Sequence, residues 1–166
     1  CAASVGNCKL YRNDTDITTA NNTPVTYGAG AYSFVANLSA TQNYSSCSVS
    51  STLTVNQNAT NPVNLYFNGT ANANKSYTYP AAVNATAEAV YSNSGTINLY
   101  RGTGSAITNA QENILLGNNT YAYKANITGN TNYTSNSSGV TFYVLVNKGT
   151  PSVQLLLNNS ATDYTY

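Results

Sequence analysis

Asparagine amides are the groups this sequence most often places in a pattern that invites chemistry. The triplet Asn-x-Ser/Thr, with no proline in the middle, occurs at Asn13, Asn21, Asn37, Asn43, Asn58, Asn68, Asn74, Asn84, Asn118, Asn126, Asn132, Asn136 and Asn158. It is the acceptor motif for N-linked sugars and marks surface loops of secreted proteins. A chain rich in Asn, Ser and Thr makes such triplets by chance, about six or seven from its residue frequencies. The sequence has thirteen. These thirteen residues are the candidate modification sites, and covalent N-glycans are the expected non-protein groups.

Other reactive chemistry is sparse. There is no histidine, which removes the commonest general base and metal ligand. No Cys-x-x-Cys pair occurs, and no glycine loop leads from a strand into a helix to cradle phosphate. Of the five carboxylates, Asp14 and Asp16 are the pair spaced to hold a calcium ion with backbone oxygens. A solvated hairpin turn explains them more simply. No catalytic, cofactor-binding or metal residues are assigned, and the chain is not expected to be an enzyme.

Charged residues make up 7% of the chain, against about a quarter in an ordinary soluble domain. The net charge of +1 argues against nucleic acid, whose phosphates demand clustered Lys and Arg. The longest apolar run, Phe142 to Val146, is far short of the roughly 20 residues that cross a bilayer, so no transmembrane segment is expected. Sugars would supply the solubility that charge does not, being bulky and solubilising. The sequence opens on Cys1 without an initiator Met or signal peptide, as expected of a mature product or an excerpt.

The elements that must carry these residues repeat. Cys8-Lys-Leu-Tyr-Arg12 matches Ile97-Asn-Leu-Tyr-Arg101, and the segment Gly28–Asn37 matches Gly117–Asn126. Asn43-Tyr-Ser-Ser46 matches Asn132-Tyr-Thr-Ser135, all three at a spacing of 89. Leu53–Asn56 matches Val144–Asn147 at 91, the two extra residues falling after Tyr133. Pro62 matches Pro151, and Ser76-Tyr-Thr-Tyr79 matches Asp163-Tyr-Thr-Tyr166. Residues 61–148 are then one complete repeat, 1–60 the C-terminal part of a preceding one and 149–166 the first strands of the next. Such phasing is expected of an excerpt cut mid-repeat at both ends.

Within the complete repeat, alternation with period two marks half-buried strands. Val63, Leu65 and Phe67 form one inward set, Val83, Ala85, Ala87 and Ala89 a second, and Ile97 and Leu99 a third. Tyr121, Tyr123 and Ala125 follow, then Val140, Phe142, Val144 and Val146, with short strands near Ile107 and Ile114-Leu115. About seven short strands in one repeat predict an all-β fold of tandem Ig-like sandwiches.

The unit resembles the bacterial and archaeal Ig-like repeats found in tandem on large surface proteins, in wording more archaeal than bacterial. The segments that carry the resemblance are Ile97-Asn-Leu-Tyr-Arg101, Leu116-Gly-x-x-x-Tyr121-x-Tyr123-x-Ala125, the Gly129–Tyr133 turn and the Asn147-Lys-Gly-Thr-Pro151 linker. It implies an S-layer, adhesin or extracellular filament protein. In an Ig-like unit Tyr32 and Tyr121 fall where a tyrosine corner lies, each hydroxyl bonding nearby backbone. Lys75, Glu88 and Asn147 are similar in type to the self-forming Lys–Asn cross-link of some adhesin domains. Three extracellular cysteines allow one bridge. Cys8–Cys47 is favoured because the loops entering the third and last strands of such a sandwich lie at one end, and Cys1–Cys8 is the rival.

The leading functional expectation is a structural, N-glycosylated repeat of an extracellular filament or surface layer, self-assembling with identical repeats or subunits, including by strand donation. A cell-surface adhesin stalk and a carbohydrate-binding accessory module with an aromatic platform are the alternatives.

Overall fold

The computed structural model describes residues 1–3 and 6–157, and these are all-β apart from two short 3-10 turns. The chain forms two compact units. The first comprises Cys1–Pro62, Val90–Thr96 and Ile127–Ser137; the second comprises Val63–Ala89, Ile97–Asn126 and the chain from Ser138 onward.

The first unit contains a single antiparallel sheet of β1 (Cys8–Arg12), β2 (Thr15–Asp16), β3 (Gly30–Leu38) and β4 (Cys47–Val55), ordered β2-β1-β3-β4. Arg12 pairs with Thr15, so Asn13 and Asp14 are the whole hairpin loop. Both have positive φ, 45° and 64°. A loop of two such residues follows the right-handed twist of the strands, and Asn and Asp tolerate it best after Gly.

Register sorts the sheet's two faces. Leu10 pairs with Ala36 and Ala36 with Val49; Arg12 pairs with Phe34 and Phe34 with Ser51; Tyr32 pairs with Leu53. Directly paired residues share a face, so Leu10, Phe34, Ala36, Val49, Leu53 and Val55 lie together. The opposite face carries Lys9, Ser33, Asn37, Ser48, Ser50, Thr52 and Thr54 together with Tyr11, Ala31 and Val35, and is mainly polar. No described residue from Cys1 to Thr60 is buried.

The second unit contains two sheets. One is ordered β10-β8-β5-β6, from β5 (Val63–Phe67), β6 (Thr70–Ala71), β8 (Ala81–Ala89) and β10 (Gln111–Leu116). The other is ordered β7-β12-β11-β9, from β7 (Lys75–Thr78), β9 (Thr96–Arg101), β11 (Asn119–Thr128) and β12 (Asn136–Asn147). Their inner faces share one core: Val63, Leu65, Phe67, Val83 and Ala85 from the first sheet meet Leu99, Tyr123, Ala125, Val144 and Val146 from the second. This is the sandwich that the alternation predicts. Each fully buried Val, Leu or Phe contributes about 1.5–3 kcal/mol, so this core carries the stability. Ile107 makes only an isolated bridge to Leu99 rather than a strand.

Residues matched in sequence do not all fold alike. β1, β3 and β4 match β9, β11 and β12. The counterpart of β10, residues 22–27, forms no strand. β10 is held by its pairing with β8, whereas Pro24 in residues 22–27 has no backbone N–H to give to such a pairing. β12 is longer than β4, and Gly139 within it has a φ of 56°. A Cβ there would lie 1.8 Å from the Ala125 carbonyl oxygen. After Asn147 the chain makes no strand before a single bridge at Leu157. Residues 158–166, with Asn158 and the rest of the segment expected to begin a further repeat, lie outside the described residues.

Candidate functional site

The sequon asparagines are the largest candidate site, and the fold places them at hairpin tips, loops and outward strand positions. Asn13, Asn21, Asn43, Asn58, Asn68, Asn74, Asn118 and Asn132 are exposed, and Asn37, Asn84, Asn126 and Asn136 are half-buried. None of these twelve is buried. Asn61, which is followed by Pro and lies outside any sequon, is 4% exposed and donates to the Ser94 and Thr134 carbonyls.

Sugar attaches at the amide nitrogen, so the partner of each nitrogen separates the sites. In one set the carboxamide oxygen braces the backbone. Asn13 accepts from Ser33 N–H at 2.8 Å, Asn58 from Thr60 at 2.9 Å, Asn74 from Tyr143 at 2.8 Å and Asn132 from Ala29 at 2.8 Å. These bonds leave the nitrogen on the far side of the carboxamide. In another set the nitrogen itself holds the fold. Asn118 donates to the Val146 carbonyl at 2.6 Å, Asn136 to the Asn61 carbonyl at 3.2 Å, and Asn68 to the Tyr77 hydroxyl at 3.1 Å. A glycan on these nitrogens takes the place of one donor hydrogen and must share the space with the acceptor.

The cysteines correct an expectation. Cys1 is bonded to Cys8, with Cα atoms 6.1 Å apart, and Cys47 is an exposed free thiol. The favoured Cys8–Cys47 bridge is not formed. Cys47 begins β4 rather than lying in a loop, and Cys8 and Cys47 both pair with Leu38 from opposite sides. Two strand spacings, about 9.5 Å, exceed the roughly 6.8 Å limit between bridged Cα atoms.

The two tyrosine corners form as the sequence predicts. The Tyr32 hydroxyl donates to the Gly28 carbonyl at 3.0 Å, and the Tyr121 hydroxyl to the Gly117 carbonyl at 3.2 Å. Each ties the start of its strand to the preceding turn.

A buried polar group escaped the sequence reading. Tyr123 has no exposed surface, its ring meets Phe67 edge-on at 5.2 Å, and its hydroxyl donates to Glu112 Oε1. Arg101 Nε lies 3.0 Å from the same oxygen. Burial pushes the Tyr123 phenol well above its usual range, and the hydrogen bond and charge of Glu112 push it the same way. The signal lay in the repeat: at the matched positions Tyr123 becomes Phe34 and Glu112 becomes Thr23 together, while Arg101 stays as Arg12. Arg12 instead lies 5.4 Å from the centre of the Tyr27 ring, a cation–π contact.

The remaining candidates are not assembled for reaction. Asp16 accepts from the Thr18 hydroxyl at 2.6 Å and the Thr18 N–H at 2.9 Å, bonds that hold its carboxyl below the usual range. Asp14 sits in the hairpin loop, so the pair reads as a turn. Among the described residues no three His, Cys, Asp or Glu side chains come together. Lys75 pairs with Val144 on β12, three residues before Asn147, whereas Glu88 pairs with Asn64 in the other sheet. Glu88 is exposed at an outward position of its strand, so it does not join Lys75 and Asn147 across the core. The one stacked aromatic pair among the described residues is Tyr91 with Tyr133, centroids 5.6 Å apart. No helix among the described residues is long and apolar enough to cross a membrane.

No protein-family model matches the chain, and no curated protein matches it. Among solved structures it is similar to the fibronectin(III)-like modules of Clostridium thermocellum CbhA, at 14% identity and a TM-score of 0.36, over 85% of this chain and 77% of that one.

Proposed function

We propose that this chain is a structural, heavily N-glycosylated repeat of an extracellular filament or surface layer, and not an enzyme. The observation that carries the reading is the placement of the sequons. All twelve that are described reach solvent, while the buried Asn among the described residues, Asn61, is outside any sequon. With so few charges, the outer surface depends on neutral polar groups, and sugars on those asparagines would hydrate it. The Cys1–Cys8 bridge suits an oxidising, extracellular setting. Self-association of like subunits supplies the assembly, without nucleic acid or a bound cofactor.

A cell-surface stalk is the reading to be separated from this one. Repeats of a filament or layer contact other subunits along their sides, whereas stalk repeats touch only their sequence neighbours. Electron microscopy of the native material tests the point. Continuous filaments or a two-dimensional lattice are expected, and isolated projections would replace this reading with the stalk.

A further inference from the structure

We propose that the cavity lined by Tyr11, Asp14, Val35 and Asn37 on the outward face of the first sheet is a sugar-binding site, which seats the first ring of the glycan that Asn37 itself carries. This rests on the glycosylated reading proposed above and names the place where one of its sugars lies.

Register builds the site. Lys9 pairs with Asn37 and Tyr11 with Val35, so these side chains share one face and Tyr11 is the diagonal neighbour of Asn37. Diagonal neighbours lie roughly 7–8 Å apart, within reach of an aromatic side chain. Tyr11, Val35 and Asn37 are half-buried and Asp14 is exposed. Two bonds lay the hairpin loop against β3: Asn13 N–H donates to the Ser33 carbonyl at 2.8 Å, and Ser33 N–H donates to Asn13 Oδ1 at 2.8 Å. They fix the place of the next residue, Asp14. The four residues line a cavity of about 220 Å³. That is below the roughly 300–1,000 Å³ of a site that encloses a drug-sized ligand, and it suits a single ring.

This face is outward in the complete sandwich as well. In β11, Tyr123 and Ala125 are buried in the core. Lys124 and Asn126, the matches of Val35 and Asn37, alternate with them and point away. The cavity therefore does not depend on what lies over the opposite face of the first sheet.

The groups suit a sugar ring. A pyranose has an apolar face of C–H bonds and an edge of hydroxyls. Tyr11 offers the C–H face an aromatic surface with a negative π face, and Val35 adds apolar surface. The Asp14 carboxylate accepts from hydroxyls, and such charge-assisted bonds are roughly twice as strong as neutral ones. Asn37 is the point of attachment, so the ring arrives by an intramolecular step at high effective concentration. The concavity on the other side of Asn37, towards Ser46 and Ser48, has no aromatic wall. The second repeat keeps half of the site. Tyr100 and Asn126 match Tyr11 and Asn37, but Lys124 replaces Val35 and Thr103 replaces Asp14. Asn98 Nδ2 there donates to Asn126 Oδ1 at 3.1 Å. The seat is therefore particular to Asn37.

The test uses the full chain as glycosylated by its own cells, isotope-labelled for NMR. The C–H signals of the first sugar on Asn37 are expected upfield, shifted by the Tyr11 ring current, with cross-relaxation to the Tyr11 ring protons. Tyr11→Phe should keep both effects and Tyr11→Ala should lose both. Asp14→Asn, which tolerates the same positive φ, should reduce the shift. Asn37→Gln should abolish the contacts. Sugar contacts with Tyr11 that survive in Asn37→Gln would assign the ring to Asn13 on the adjoining loop or to another molecule, and would overturn the proposal. So would Asn37 sugar signals that are unshifted, or unmoved by Tyr11→Ala. The contacts in the unaltered protein decide the matter even where Tyr11→Ala fails to fold. Mass spectrometry of the same sample separates the two readings. An occupied Asn37 with an unseated sugar refutes the seat alone, whereas a bare Asn37 refutes the glycan at that position and the seat with it.

Discussion

Replacing Tyr123 by Phe isolates the buried polar group, because it copies the residue the matched position already holds in Phe34. The ring keeps its place against Phe67 and only the hydroxyl is lost. That hydroxyl donates to Glu112 Oε1, and a hydrogen bond to a charged group is worth about 1.5–3 kcal/mol. Arg101 remains 3.0 Å from the same oxygen, so the expected loss lies at the lower end, about 1.5 kcal/mol. For a repeat of this size that is a fall in Tm of roughly 6–12 °C. A second signature follows from the raised phenol pKa. Below about pH 10 both folded and unfolded chains keep the proton, and the stabilisation is fully present. Above that the unfolded chain releases its proton while the folded one retains it, so stability falls as pH rises. The slope from this group approaches about 1.4 kcal/mol per pH unit. Urea unfolding followed by circular dichroism, between about pH 8 and pH 11, reads both effects. Y123F should be the less stable protein at pH 8 and should lose stability less steeply above pH 10. Parallel losses in the two proteins, or equal stability at pH 8, would refute the reasoning.

Alkylation of the unreduced protein should label Cys47 alone, and labelling of all three cysteines should require reduction; peptide mapping reads the outcome. Tyr32→Phe and Tyr121→Phe should each cost about 0.5–1.5 kcal/mol in thermal unfolding, the worth of one hydroxyl-to-carbonyl bond. Gly139→Ala should destabilise by at least about 1–3 kcal/mol, since it places a side chain at positive φ against the Ala125 carbonyl. Glycopeptide analysis should find Asn13, Asn58, Asn74 and Asn132 more fully occupied than Asn68, Asn118 and Asn136, whose nitrogens are committed to the fold.

The sandwich was legible because the same period-two pattern recurs strand after strand. Val63, Leu65 and Phe67, and likewise Val83, Ala85 and Ala87, needed only alternation to be placed inward. The tyrosine corners followed from the place of Tyr32 and Tyr121 in a unit that resembles an Ig-like repeat. The cysteine pairing did not, because it depends on whether Cys47 lies in a loop or opens a strand, and element ends are where local pattern is weakest. The Tyr123–Glu112–Arg101 group joins β11, β10 and β9, and no local spacing announces a contact made across two sheets. Residues 22–27 show the converse. They lie at the spacing of β10 but share none of its residues, and Pro24 among them has no backbone N–H to give to a ladder.

Glycopeptide mass spectrometry of the protein isolated from its own cells bears most directly on the central claim. An extracellular glycosylated repeat should carry sugar on at least half of its thirteen sequons. Asn37, Asn43, Asn126 and Asn132, which occupy matched positions in both copies, should be among them. Finding those four asparagines bare would contradict the account.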